Sequence, residues 1–187
     1  PIWCDMGTEQ LRQYTRLKRD LVADLEEGEI FCTSASSAYA KCKQFANGTV
    51  YHQNLDGDKE SRKAHDHKIT ALENLVVELA GKPVLVLYQY TQDLNRLLEK
   101  FPKAPFINGQ SKPEDDQRTL DKWNEGKHPI LFLQWQSGSH GLNMQAACND
   151  VACFGLTDWP EVYEQAYRRV YRQGVTGRHV RVHQLLT

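Results

Sequence analysis

The chain has no G-x-x-x-x-G-K-[ST] loop, the backbone cradle that grips a triphosphate, and no G-x-G-x-x-G. It therefore lacks both common glycine signatures for holding a nucleotide alone. No apolar run approaches the ~20 residues that a membrane span needs, so no membrane partner is expected. The opening PIWCDMGTEQ holds no basic region followed by an apolar block, so no signal peptide is expected in it. It also holds no initiator Met at its start and reads as a fragment or a processed chain. Cysteine is scarce and irregular: Cys4, Cys32, Cys42, Cys148 and Cys153, an odd count with no C-x-x-C pair. That pattern argues against a disulfide framework and a zinc site, and for buried thiols in a reducing, cytoplasmic compartment. His65 and His67, in HDHK at 65–68, would share a face only on a strand, and they read as part of a solvated loop. With His52 and the cysteines they lack metal-ligand spacing, so no metal is expected.

What the chain does have is ordinary bulk and unevenly sorted charge. Its 187 residues are 40% hydrophobic and 25% charged, with 23 basic against 24 acidic side chains and a net charge of -1. That is enough for one well-buried core plus an appendage. From Gln165 to Thr187, however, there are five arginines and neither Asp nor Glu.

The pattern splits near Pro83. Before it, Leu11, Tyr14, Leu17, Leu21 and Leu25 recur at helical steps, predicting a helix over 8–27 capped by Thr8 and stopped at Gly28. A second helix is expected over 34–46, with Ala38, Cys42 and Phe45 on one side. An exposed linker or hairpin is expected over 47–67, and a third helix over 68–80. After Pro83, short apolar runs at 84–88, 105–108, 130–134 and 151–156 read as strands, with a last one at 179–186. Helices at 91–101, from 111 to about 126, and from about 157 lie between them. Ser111 with Glu114, and Asp158 with Glu161, have capping-box spacing. This βαβ rhythm predicts an α/β domain over 82–187, a mostly parallel sheet with helices on both faces, preceded by a helical appendage over 1–81. In such sheets ligands sit off the carboxyl ends of the strands, here at the loop QSGSHGLN (136–143) and the helix start at 157–161.

On an ideal helix over 160–173, Tyr163, Ala166, Tyr167, Val170 and Tyr171 span one broad side. Gln165, Arg169 and Arg172 fall within roughly 60° of one another on the other, with Arg168 beside them. Clustered guanidiniums repel unless anions or carboxylates share the space, and arginine forks fit phosphate oxygens two at a time. Gly138 and Gly141, with the small Ser137 and Ser139, would let backbone amides approach a ligand closely.

Taken in order, VLVLYQYTQDLNRLLEKF, NGQSKPEDDQRTLDKWN, SGSHGLNMQAACNDVACFG and WPEVYEQAYRRVYRQG resemble the second RecA-like lobe of Swi/Snf-type superfamily-two helicases and DNA translocases. The short phage-encoded form is the nearest in flavour. The resemblance covers about residues 68–187 and implies a RecA-like fold. It implies that Arg169 and Arg172 are the two finger arginines, which stabilise charge on a transferring phosphate, and that Gln165 leads their motif. It places Gly141 and Asn143 on the nucleotide side. Gln89, Tyr90, Thr91, Gly109, Ser137, Gly138 and His140 fall along the nucleic acid, with Arg118 in the same motif as Gly109. There are departures: Gln134 and Trp135 stand where the family usually has Ser or Thr, Gly155 where it often has an acid, and Tyr171 and Val175 replace a His and a Gln. The implied partners are DNA, contacted through its backbone without sequence preference, and a first RecA-like lobe of the same parent chain. ATP and Mg²⁺ are implied for the full-length parent only; the fragment alone is expected to bind neither and to be inactive. A phage-encoded parent would work in the host cytoplasm. The competing reading is a non-catalytic nucleic-acid-binding or adaptor module on the same fold.

Overall fold

In a computed structural model of the chain, residues 1–25, 28–54, 56–137, 144, 148–171 and 179–187 are described. They fall into two units: Trp3–Thr70 with Leu186–Thr187, and Ala71–Leu185 with Pro1–Ile2. After β1 (Ile2–Trp3), α1 spans Thr8–Asp20, and its cap position is Gly7 rather than Thr8. The helix stops well short of residue 27. Leu21 turns left-handed (φ 62°, ψ 21°), and the chain enters β2 (Val22–Leu25), which pairs antiparallel with β3 (Gly28–Phe31). Cys32 donates its N–H to the Leu21 carbonyl at 2.8 Å and closes this hairpin. Leu17 is fully buried on the expected stripe, whereas Leu11 is 54% exposed.

Further along, α2 (Ala35–Asn47) begins at Ser34, whose Oγ accepts the Ser37 N–H at 3.1 Å, and ends at Gly48, left-handed at φ 97°. Only glycine adopts that conformation at no steric cost. Then β4 (Thr49–Gln53) and β5 (Lys59–Lys63) form a second antiparallel hairpin, with Thr49 opposite Lys63. Leu17, Ala23, Ile30, Ala38, Cys42, Phe45 and Val50 make one core. The expected appendage is thus not wholly helical: two hairpins share its core with two helices. The HDHK stretch is not a solvated loop: His67 is half-buried at the start of a helix over His67–Glu78. His65 is buried and stacks on His67 with ring centroids 4.6 Å apart. Among the described residues, no group of three or more His, Cys, Asp or Glu could hold a metal ion.

α3 (His67–Glu78) leads into β6 (Val84–Tyr88), followed by α4 (Thr91–Lys100), β7 (Phe106–Ile107), α5 (Pro113–Asn124), β8 (Ile130–Gln134), β9 (Asp150–Cys153), α6 (Pro160–Val170) and β10 (Arg181–Leu186). The six-stranded sheet has the order β1-β10-β9-β6-β8-β7. The pairs from β10 to β7 are all parallel, with Val84 set between Asp150 and Ile130. All five residues of β6 are buried, as befits a central strand covered on both faces. Its VLVLY run supplies Leu85 and Leu87 to the core, which continues through Leu131, Leu133, Trp123, Val151, Ala166 and Val170. The fold class read from the sequence holds. Two predicted caps do not. Ser111 turns its hydroxyl back to Asn108, accepting the Asn108 N–H at 3.1 Å, so α5 starts uncapped after Lys112 with Pro113 in its first turn. α6 starts at Pro160 after Trp159, not from Asp158.

All five cysteines are buried as thiols, outside any disulfide, and burial pushes the Cys148 thiol up to about 12. Among the described residues no helix is long and apolar enough to cross a membrane.

The amino ends of β9 and β10 are held by charge. Asp150 is 2% exposed and accepts a forked pair of bonds from Arg181 at 2.8 and 2.7 Å, plus one from His183 Nε2 at 2.8 Å. Burial alone would raise its pKa; the bonds from Arg181 and His183 outweigh burial and hold the carboxyl below its ordinary value. Arg181→Ala, which leaves a buried carboxylate with one partner fewer, is expected to cost about 2 kcal/mol at neutral pH, measured by denaturant unfolding. Because the folded pKa is depressed, the stabilisation is present above the ordinary carboxylate pKa of about 4. It is lost as pH falls through the folded value, so the gap between the two proteins should close there.

Candidate nucleic-acid interface

Parallel pairing brings the carboxyl ends of β6, β7 and β8 to one edge, and the segments that follow them meet there. After β6, the buried Asp93 accepts the N–H of Gln89 at 3.3 Å and of Tyr90 at 3.0 Å, which fixes the turn into α4. Gln89 and Tyr90 are half-buried and Thr91 is exposed. After β7, Asn108 and Ser111 lock the turn that presents Gly109. After β8, Trp135 is buried and its indole donates to the Gly155 carbonyl at 2.7 Å, joining the ends of β8 and β9. Ser137 follows, 6% exposed, and its Oγ has no hydrogen-bond partner among the described residues.

Gln134 connects these turns. Its side-chain Oε1 accepts the Gly109 N–H at 3.3 Å, and its Nε2 donates to the Gln89 carbonyl at 3.4 Å. A cleft of about 400 Å³ opens beside it, lined by Asn108, Gly109, Ser111, Pro113, Asp116, Gln117 and Ser137. A Cβ on Gly109 would lie 3.9 Å from Ser137 Oγ, ordinary van der Waals contact, so the two residues border the same part of the cleft. The first turn of α5 also faces this space through Pro113 and Asp116. Pro113 has no N–H, and the N–H groups of Asp115 and Asp116 already bond the Lys112 carbonyl, so this helix start offers an anion little beyond its dipole, and Asp116 opposes one. Burial chiefly, with Asp115 nearby, raises the Asp116 pKa against a lowering bond from Ser111.

The structure thus brings Gly109 and Ser137 together and ties Gln89 to them. Arg118 stays exposed and engages Asp115 on its own helix. Gln165 and Arg169 do not line this cleft; they lie on α6, where Ala166 and Val170 are the buried face. Gln165 is exposed, Arg168 is exposed and bonded to Glu164 at 2.6 Å, and Arg169 is half-buried with its Nε shielded from solvent. Tyr171, expected on the sheet side, is 52% exposed and stacks on Tyr167 at 6.0 Å. The helix ends at Val170, so the angular projection fails beyond it. Arg172, Gly138, His140, Gly141 and Asn143 lie outside the described residues.

The family profile of the helicase conserved C-terminal domain matches residues 67–174. The chain is a helicase C-terminal domain of the Swi/Snf type. It is 36% identical over 157 residues to protein p41 of Acyrthosiphon pisum secondary endosymbiont phage 1, covering 84% of this chain and 32% of p41. It is 31% identical over 129 residues to helicase swr1 of Schizosaccharomyces pombe, covering 64% of this chain and 10% of that helicase. The crystal structure of the C-terminal part of the Fun30 ATPase domain superposes with a TM-score of 0.56 at 29% identity, over 66% of this chain and 41% of that one. The helicase domain therefore spans about a third or less of the curated relatives it matches. The sheet is RecA-like, as the resemblance implied.

Sequence reasoning passed over Gln134 except as a departure from the family pattern, and over Asp116 altogether. It also gave no role to Trp159, which is 64% exposed at the start of α6. Trp135→Phe removes the bond to Gly155 and shortens a fully packed ring. It is expected to lower stability by about 2 kcal/mol, read as a fall in melting temperature.

Proposed function

We propose that this domain is the C-terminal motor lobe of an ATP-dependent DNA helicase or translocase. It grips the nucleic-acid backbone in the cleft between Gly109 and Ser137 and offers arginines to a nucleotide held mainly by a first lobe. The observation that carries the first half is the Ser137 hydroxyl, buried without a partner among the described residues, on a cleft that it lines together with Gly109 and Ser111. A buried hydroxyl left unbonded is unfavourable, and a phosphate oxygen would satisfy it. Contacts of this kind position a duplex without reading its bases, as sliding requires.

The second half rests on α6 and on family membership. Arg169 is half withdrawn from water next to the exposed, locally paired Arg168. With Arg172 it would stabilise charge developing on the γ-phosphate, while Gln165, Gly141 and Asn143 would contact the nucleotide. The sequence carries no phosphate-gripping lysine loop, so the domain by itself binds no ATP productively.

The ATP half has a direct test. The purified chain should show no DNA-stimulated ATP hydrolysis. In a parent that includes the first lobe, Arg169→Ala should reduce turnover at least about a hundredfold while DNA affinity changes little. Robust turnover by this chain alone would refute the two-lobe reading, and a large affinity loss with intact turnover would favour an adaptor.

The DNA half is tested by affinity. Ser137→Ala should weaken DNA binding about fivefold without lowering stability, since it deletes an unmet polar group. Asp116→Asn, which removes a repelling carboxylate, should tighten binding a few-fold, most clearly at low salt. Fluorescence anisotropy across a salt series separates these outcomes.

A further inference from the structure

Gln134 is the last residue of β8, the strand that lies between β6 and β7. The ladder from β8 to β7 pairs Phe132 with Phe106 and Leu133 with Ile107; the ladder to β6 ends with Gln134 opposite Tyr88. On the β6 side one main-chain bond closes the ladder, from the Trp135 N–H to the Tyr88 carbonyl at 3.0 Å, and past it, as past Ile107 on the β7 side, the strands run into loops. The Gln134 side chain reaches across both gaps. Its amide accepts from Gly109 on one side and donates to Gln89 on the other, so it supplies with side-chain atoms one further N–H···O=C rung to each neighbour. Both bonds, at 3.3 and 3.4 Å, are long, so each alone is weak. Their effect is on spacing, because one rigid planar amide is held at both ends. A shorter side chain could not span the two.

What this rung borders matters. On the β7 side it holds Gly109, which borders the same part of the cleft as Ser137. On the β6 side it holds Gln89, directly before the turn that Asp93 pins.

We propose that Gln134 is a positioning residue for nucleic-acid binding. Its side-chain amide fixes the segments after β6 and β7 relative to β8, so that a backbone phosphate meets the Ser137 hydroxyl beside Gly109. The proposal rests on the reading of this cleft as the nucleic-acid site.

The test uses the whole chain, with hydrogen exchange and the binding of a fluorescein-labelled DNA duplex measured in parallel. Gln134→Leu removes both bonds at similar volume; Gln134→Glu keeps an acceptor for Gly109 but loses the donor to Gln89. In Gln134→Leu, exchange should quicken at residues 89–91 and 108–111 while β6, β8 and β9 keep their protection. DNA binding should weaken about tenfold, and adding Ser137→Ala should cost less than the sum of the two single losses. In Gln134→Glu, exchange should quicken at 89–91 and hold at 108–111. Unchanged exchange at both segments in Gln134→Leu overturns the clip itself, and so does a uniform rise across the sheet, which would mean general destabilisation. Wild-type affinity in Gln134→Leu despite local loosening overturns its role in binding. A wild-type chain that leaves the duplex unbound overturns the proposal through the reading of the cleft, and exchange then still reports whether the rung exists.

Discussion

Parallel pairing around β6 is the constraint from which the site follows. Because β9, β6, β8 and β7 run the same way, every strand delivers its carboxyl end to one edge. Each connection must then cross back over a face of the sheet, which places helices there and seals VLVLY from water. A side effect is crowding. Segments separated by tens of residues in sequence emerge side by side, with their last backbone groups beyond the reach of the ladder. Polar side chains take over that bonding: Asp93 in the turn into α4, Asn108 and Ser111 before α5, and Gln134 across the middle. The cleft is the space those turns leave.

The two edges of the sheet are chemically opposite. At the amino edge, a buried aspartate is fully engaged by Arg181 and His183, so its charge is balanced inside the fold. At the carboxyl edge, Ser137 Oγ has no partner among the described residues. Balanced polarity holds strands together, and unbalanced polarity invites a ligand. Asp116 complicates the second edge: it lines the cleft as a carboxylate and opposes an anion there.

The sheet was legible because buried parallel strands write themselves as short continuous apolar runs, and 84–88 and 130–134 are such runs. The buried face of α6 was legible for the same kind of reason, since Ala166 and Val170 recur at helical spacing. The end of α1 was not. Leu21 and Leu25 continue the helical period, but Ala23 and Ile30 bury against one another only as partners in a hairpin, and that pairing outcompetes a weak local preference. Ser111 failed as a cap because Asn108, three residues earlier, offers its hydroxyl two bonds. Gln134 was illegible in principle: its partners lie 25 and 45 residues away, so no local pattern marks it. A polar residue ending an otherwise apolar strand was the available signal.

The sorted charge of the carboxy-terminal stretch also resolves in structural terms. Five arginines without an acid between Gln165 and Thr187 raised the question of phosphate contact. Two of them are answered by carboxylates that lie just outside that stretch. Arg168 bonds Glu164 one turn back on α6, an exposed pair worth only a few tenths of a kcal/mol. Arg181 bonds Asp150 across the β9–β10 pair and serves the fold. Adjacent arginines on one helix therefore have different environments: Arg168 is exposed and locally neutralised, and Arg169 is half-buried. The positive charge available for a phosphate is thus smaller than composition suggests.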